Sequence, residues 1–162
     1  MYFPKRLQEN FEAKEEKRGA NIIIKGILSC CEQPGFDIAY LGEIKTGLFG
    51  HKSLLSDDDI VLSAECKICG KEIQVFNSYT DGYDNCIDIP VSPPPYKSKT
   101  FSCAKCGANH FSAEVTFEYA PKEELEACGI QDCGNAFSWI WVTIVCESCK
   151  KAYKKIIDFE TA

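Results

Sequence analysis

The residues with the clearest chemical potential are cysteines. The chain has 162 residues and 11 cysteines, six of them in three CxxC pairs: Cys66/Cys69 in AECKICGKEI, Cys103/Cys106 in FSCAKCGANHF and Cys146/Cys149 in VCESCKKAY. Each pair presents two sulfurs from one tight turn, so two such turns on neighbouring hairpins can surround an ion with four thiolates. Three pairs leave one without a CxxC partner, and the vicinal Cys30–Cys31 in ILSCCEQPGF is the place to seek it. An odd cysteine count cannot be fully paired within one chain, and cysteines at this density fall below those of short secreted disulfide scaffolds. A reducing, cytoplasmic setting is therefore expected.

Placing Cys31 on Cys106 puts Phe36 on Phe111, and each phenylalanine opens an apolar alternating run. The second pairs then fall into step: Cys66 follows IVLSAE and precedes EIQVF, while Cys146 follows WVTIV and precedes AYKKIIDF. Such self-similarity predicts an internal repeat of about 70 residues. It predicts one site from Cys103, Cys106, Cys146 and Cys149, and another from Cys66, Cys69 and the Cys30–Cys31 region. Adjacent side chains of an extended segment point to opposite faces, so Cys30 and Cys31 can share one ion only through a tight turn. Cys31 is the better-aligned ligand; Cys30, Cys86 or His51 can supply the fourth. A competing arrangement joins Cys66/Cys69 to Cys103/Cys106. Cys128 and Cys133, in CGIQDC, lack a favoured knuckle spacing and read as unligated thiols, as does Cys86.

The knuckles KICGK and AKCGA resemble those of the zinc-ribbon family, which are rubredoxin-like, over residues 21–82 and 98–160. The resemblance implies that a first knuckle, a hairpin and a second knuckle jointly hold one Zn²⁺, giving one or two ions per chain. A rubredoxin-like site can also hold iron, which makes an electron carrier an alternative. Four thiolates around zinc leave no coordination position for substrate or activated water, so the expected role is structural.

These cysteines need short strands to position them. The runs NIIIKGIL, FDIAYLGEI, DIVLSAE, EIQVF, HFSAEVTFEY, FSWIWVTIV and YKKIIDF read mostly as strands. Clearest is 111–119, where Phe111, Ala113, Val115, Phe117 and Tyr119 alternate with polar residues, the period of a half-buried antiparallel strand. Residues 5–18, KRLQENFEAKEEKR, place Leu7 and Phe11 four apart between Pro4 and Gly19, predicting a short amphipathic helix. Another short helix is expected after Pro121 in KEELEA. The expected architecture is mainly β, with two tandem zinc-ribbon-like antiparallel repeats: a charged N-terminal helix at 1–20, a first repeat at 21–89, a Pro-rich linker at 90–97 and a second repeat at 98–162. Proline lacks the amide a sheet ladder needs, which makes PVSPPPYK the linker.

Signatures of catalysis are absent: no HExxH helix, phosphate loop, GxSxG elbow or deaminase pair occurs. His110, beside a knuckle, is expected to face solvent, with a hydrogen bond to thiolate as the alternative. Asp57-Asp58-Asp59 and YTDGYDN at 79–85 lack the spaced ligands of a calcium loop and are expected to be solvated turns. The aromatic residues Phe137, Trp139 and Trp141 are expected in the core. The N-terminus does not resemble a signal peptide and no apolar run approaches membrane-spanning length. A formal charge of −6 disfavours non-specific nucleic-acid binding. The chain is therefore expected to be a non-catalytic zinc-binding module for another protein, with no membrane and no small-molecule substrate. The alternative is a nucleic-acid-binding ribbon using Lys150, Lys151, Lys154 and Lys155 around Tyr153.

Overall fold

The computed structural model describes residues 1–33, 35–55, 59–88 and 91–161. Asp57, Asp58 and Pro90, named above in the acidic run and the linker, lie outside them. The chain is mainly β. Its strands are β1 (Phe11–Arg18), β2 (Asn21–Leu28), β3 (Phe36–Leu41), β4 (Glu43–Thr46), β5 (Lys52–Leu55), β6 (Val61–Cys66), β7 (Glu72–Asn77), β8 (Lys99–Thr100), β9 (Phe111–Tyr119), β10 (Trp139–Cys146) and β11 (Ala152–Glu160). Among the described residues, two short helices, α1 (Tyr83–Ile87) and α2 (Lys122–Ala127), and three single 3-10 turns accompany the strands. All named strand pairs are antiparallel.

β9 is the central strand. Its alternating residues from Phe111 to Tyr119 are all buried on one face, as the period-two pattern requires. One edge of β9 pairs with β10 from Phe111↔Cys146 to Glu118↔Trp139. The other takes β2 from Ile27↔Glu114 to Ile22↔Tyr119 and then β3 at the single pair Phe36↔Phe111. β3 is in turn flanked by β6 and β8. Rings of Phe11, Phe117, Phe137 and Tyr119 pack behind β9, with Phe117 and Phe137 centroids 4.9 Å apart. Aromatic pairs at such spacing each add about 0.5–1.5 kcal/mol beyond burial.

The helix expected over 5–18 is not formed. Lys5–Leu7 makes one 3-10 turn, and residues 11–18 are β1, paired with β2 from Phe11↔Leu28 to Arg18↔Asn21. The sheet overrides a local helical preference because β2 offers a full ladder of partners, and the Phe11 ring lies across Gly26, where a Cβ would fall 2.6 Å from it. The charged residues of FEAKEEKR suit an edge strand, since charge discourages pairing with another chain. Leu7 and Phe11 are buried from different elements rather than one helical face.

Residues 79–85 depart from a solvated turn. Asp81 is 2% exposed, bridged by Arg6 Nη1 at 3.0 Å and by the Asn77 amide at 2.8 Å. This pair ties the N-terminus to the segment after β7. Phe137 is in the core, whereas Trp139 and Trp141 are half-buried and stack 5.8 Å apart on the side of β10 opposite the buried Ile140 and Val142.

Candidate metal centres

Each half carries a three-strand meander whose second turn bears a CxxC. In one, Phe36 lies opposite Cys66; in the other, Phe111 lies opposite Cys146. The turns after these cysteines close identically: the Gly70 amide donates to the Cys66 carbonyl at 2.8 Å and the Lys150 amide to the Cys146 carbonyl at 2.8 Å. The knuckle at Cys103 repeats the contact, Gly107 N–H to Cys103 O at 2.8 Å. Closing it requires a left-handed residue, and Gly70 and Gly107 supply it at φ 71° and 74°. Lys150 occupies the same conformation at φ 60° without glycine's freedom.

Cys30–Cys31 is built differently. Cys31 and Glu32 both have positive φ, 52° and 58°, and Cys30 and Gln33 exchange backbone hydrogen bonds of 3.0 and 3.3 Å. These are the features of a two-residue type I′ hairpin turn. It is tight enough to send both adjacent sulfurs the same way, which an extended segment cannot do.

The sulfurs of Cys30, Cys31, Cys66 and Cys69 lie within 4.8 Å of one another, as do those of Cys103, Cys106, Cys146 and Cys149. Individual separations are 3.5 Å for Cys30–Cys69, 3.9 Å for Cys30–Cys31, and 3.6 Å for both Cys103–Cys149 and Cys106–Cys146. A tetrahedron with metal–sulfur bonds of ~2.3 Å has edges of about 3.8 Å, so the sulfurs fit one ion per tetrad. The competing union of Cys66/Cys69 with Cys103/Cys106 does not occur. Neither His51, which follows the β4–β5 hairpin tip, nor Cys86, in α1, enters a tetrad; Cys30 fills the fourth position. Cys128 lies 3.2 Å from the Tyr83 hydroxyl and Cys133 is half-buried, both apart from the tetrads.

Within each tetrad the thiols differ in acidity. Burial opposes ionisation of Cys103, but the Tyr153 hydroxyl and the amides of Cys106 and Lys105 outweigh it and hold the thiol at about 6. The amides of Cys69 and Ile68 likewise lower Cys66 to about 7. Burial and the hydrogen bond with Cys69 push Cys30 up to about 12. The Ala108 amide favours the Cys106 thiolate, but burial and the neighbouring sulfurs prevail and raise it to about 12. Metal-free, each tetrad thus combines a readily ionised thiol with a resistant one.

Tyr153 takes a role its sequence setting concealed. Instead of an exposed stacking ring, it is 2% exposed, packed 5.0 Å from Phe101, accepting the Ala104 amide at 2.8 Å with its hydroxyl 3.4 Å from Cys103 Sγ. Its place in the inward register of β11 was the available signal. Lys150 pairs with Glu147 at 2.8 Å and Lys155 with Asp158 at 3.8 Å, so the expected basic run is partly neutralised. His110 is half-buried, not a solvated loop residue. Its ring rests on Gly35, and Nδ1 is enclosed without a hydrogen-bond partner among the described residues.

The two tetrads can hold metal ions. No family model, curated protein or solved structure matches the chain. Among the described residues, no helix is long and apolar enough to cross a membrane.

Proposed function

We propose that the chain is a non-catalytic zinc protein, resembling two zinc ribbons interlocked as one interaction module. The observation that carries this is the pair of sulfur tetrads at tetrahedral-edge spacing. Four soft thiolates suit zinc or iron and, once closed around the ion, offer no position for substrate chemistry. The ion's contribution is folding free energy, fixing turns whose flanking halves are each small for a core.

Matching registers support the duplication. With Cys30 set on Cys103 and Cys31 on Cys106, the pair Ile27↔Glu114 corresponds to Thr100↔Ala39, so the strand before each first knuckle pairs with the first meander strand of the other half. The halves are crossed rather than strung in series. An acidic chain of net charge −6 supports another protein as partner.

Elemental analysis of freshly purified protein tests the reading, with two zinc ions per chain as the expected result. A strong chelator should lower the melting temperature and abolish partner capture together. Metal-free protein with an unchanged melting curve would refute it, and a red, iron-bearing protein would favour electron transfer instead.

A further inference from the structure

The β4–β5 hairpin ends in the exposed sequence GLFGH. Leu48 is 85% exposed and Phe49 fully so, the latter held at φ 58° inside the turn. An unshielded aromatic at a strained backbone position stabilises nothing in the fold, so its placement invites a functional account. β5 packs against β11, which brings this tip beside the strand that follows the Cys146/Cys149 knuckle.

β11 is bulged there. The register with β10 slips between Val142 and Ile144, Lys155 takes φ 49°, and its amide bonds Thr143 Oγ1 at 3.0 Å. A bulge re-aims side chains, and here it lies within the segment that carries Lys154 and Lys155. Between tip and strand runs an open groove of about 420 Å³, lined by Leu48, Phe49, Lys52, Lys151, Tyr153 and Lys154 among others. Among the described residues, no carboxylate lines it. Lys52, Lys151 and Lys154 form no ion pair among the described residues, unlike Lys150 and Lys155. In a chain of net charge −6, this segregation of cations beside an exposed ring is selective.

We propose that this groove binds single-stranded nucleic acid, with a base stacked on Phe49 and backbone phosphates held by Lys52, Lys151 and Lys154. The charge complementarity calls for an anion and the bare ring for a flat apolar face. A single strand supplies both in alternation, whereas a duplex keeps its bases stacked away. The groove is a local basic surface on a chain whose net charge is −6. Its floor meets the second tetrad through Tyr153, which bonds the Cys103 knuckle.

Fluorescence anisotropy with labelled oligothymidylate and oligouridylate tests this on the metal-loaded protein, with zinc content measured in the same samples. Binding is expected at low salt, with log K falling against log salt at a slope of about −2 for three lysine–phosphate contacts. Phe49→Ala, which removes no packed atoms, should weaken binding roughly ten-fold or more. Lys151→Ala/Lys154→Ala should reduce the slope to about −0.7. Fully metallated protein that binds neither strand overturns the groove proposal while leaving the metal reading intact. Equal affinity for duplex, or for Phe49→Ala, also overturns it, reducing the groove to undirected charge. So does Phe49-dependent binding to phosphatidylserine vesicles without oligonucleotide binding, which would assign the tip to a membrane surface.

Discussion

Phe36 and Phe111 face each other where β3 meets β9, and each also faces a tetrad cysteine, Cys66 or Cys146, across its other neighbour. The residue before each, Gly35 or His110, accepts the amide following that cysteine: Lys67 N–H at 3.5 Å and Glu147 N–H at 2.9 Å. The two centres are therefore coupled through one crossing point. Its closeness depends on asymmetry, since the His110 ring occupies the space that a side chain at Gly35 would need.

A methyl group at Gly35 would fall 2.1 Å from His110 Cε1. Gly35→Ala should cost about 1–3 kcal/mol by overpacking. Adding His110→Ala should recover part of the loss, and a double-mutant cycle by urea unfolding checks the coupling. Additive effects would dissociate the two residues.

Cys106→Ser removes a candidate ligand, whereas Cys128→Ser alters an exposed thiol outside both tetrads. Losing even ~3 kcal/mol of metal-linked folding energy lowers the melting temperature by roughly 10 °C in a chain of this size. Cys128→Ser should shift it little. Calorimetry and zinc content, which should fall from two ions to one in Cys106→Ser, provide the check.

Tyr153→Phe deletes the hydroxyl that stabilises the Cys103 thiolate and accepts the Ala104 amide. Outer-shell partners of metal ligands typically carry 10–100-fold in affinity, and a loss of about that size is expected at the second centre. The first centre should be unaffected. Competition against a chromophoric chelator resolves the two.

Acidity differences give the metal-free protein a two-sided pH profile. Cys103 and Cys66, held at about 6 and 7 against an ordinary 9.0, contribute stability present above pH 9.0 and lost as pH falls through those values. Cys30 and Cys106, raised to about 12, contribute stability present below pH 9.0 and lost as pH rises toward 12. Urea midpoints of chelator-treated protein should peak near pH 9.0 and fall on either side. Zinc binding at neutral pH should release protons, as Cys30 and Cys106 must ionise to ligate.

Glu32 sits at φ 58° in the Cys30–Gln33 turn without glycine's freedom. Glu32→Gly should stabilise the protein by about 0.5–1 kcal/mol, the relief of left-handed strain less glycine's added chain entropy. Thermal unfolding with and without chelator measures it, and destabilisation would contradict the turn geometry.

Much of the site was legible along the chain because a CxxC is a local device: its geometry is set by one turn, and two neighbouring turns suffice to bring four sulfurs together. The alternation at 111–119 was equally plain, since one face of β9 is buried throughout. The N-terminal segment misled because its charges and the Leu7–Phe11 spacing favour a helix locally, while the partner that makes it a strand is β2. Tyr153 misled likewise, its lysine neighbours suggesting exposure although its own ring points inward.

Residue types and spacing alone determined the mainly β character, seven of the eight candidate ligands and the correspondence of Phe36 with Phe111. Tertiary structure alone decided that Cys30 completes the first tetrad, that β2 pairs with β9 and β8 with β3, and that Phe49 stands beside Lys151 and Lys154. The reason is the range of the forces involved. Alternation and knuckle turns arise from neighbours a few residues apart, whereas these three arrangements depend on backbone handedness and on ladders between segments distant along the chain.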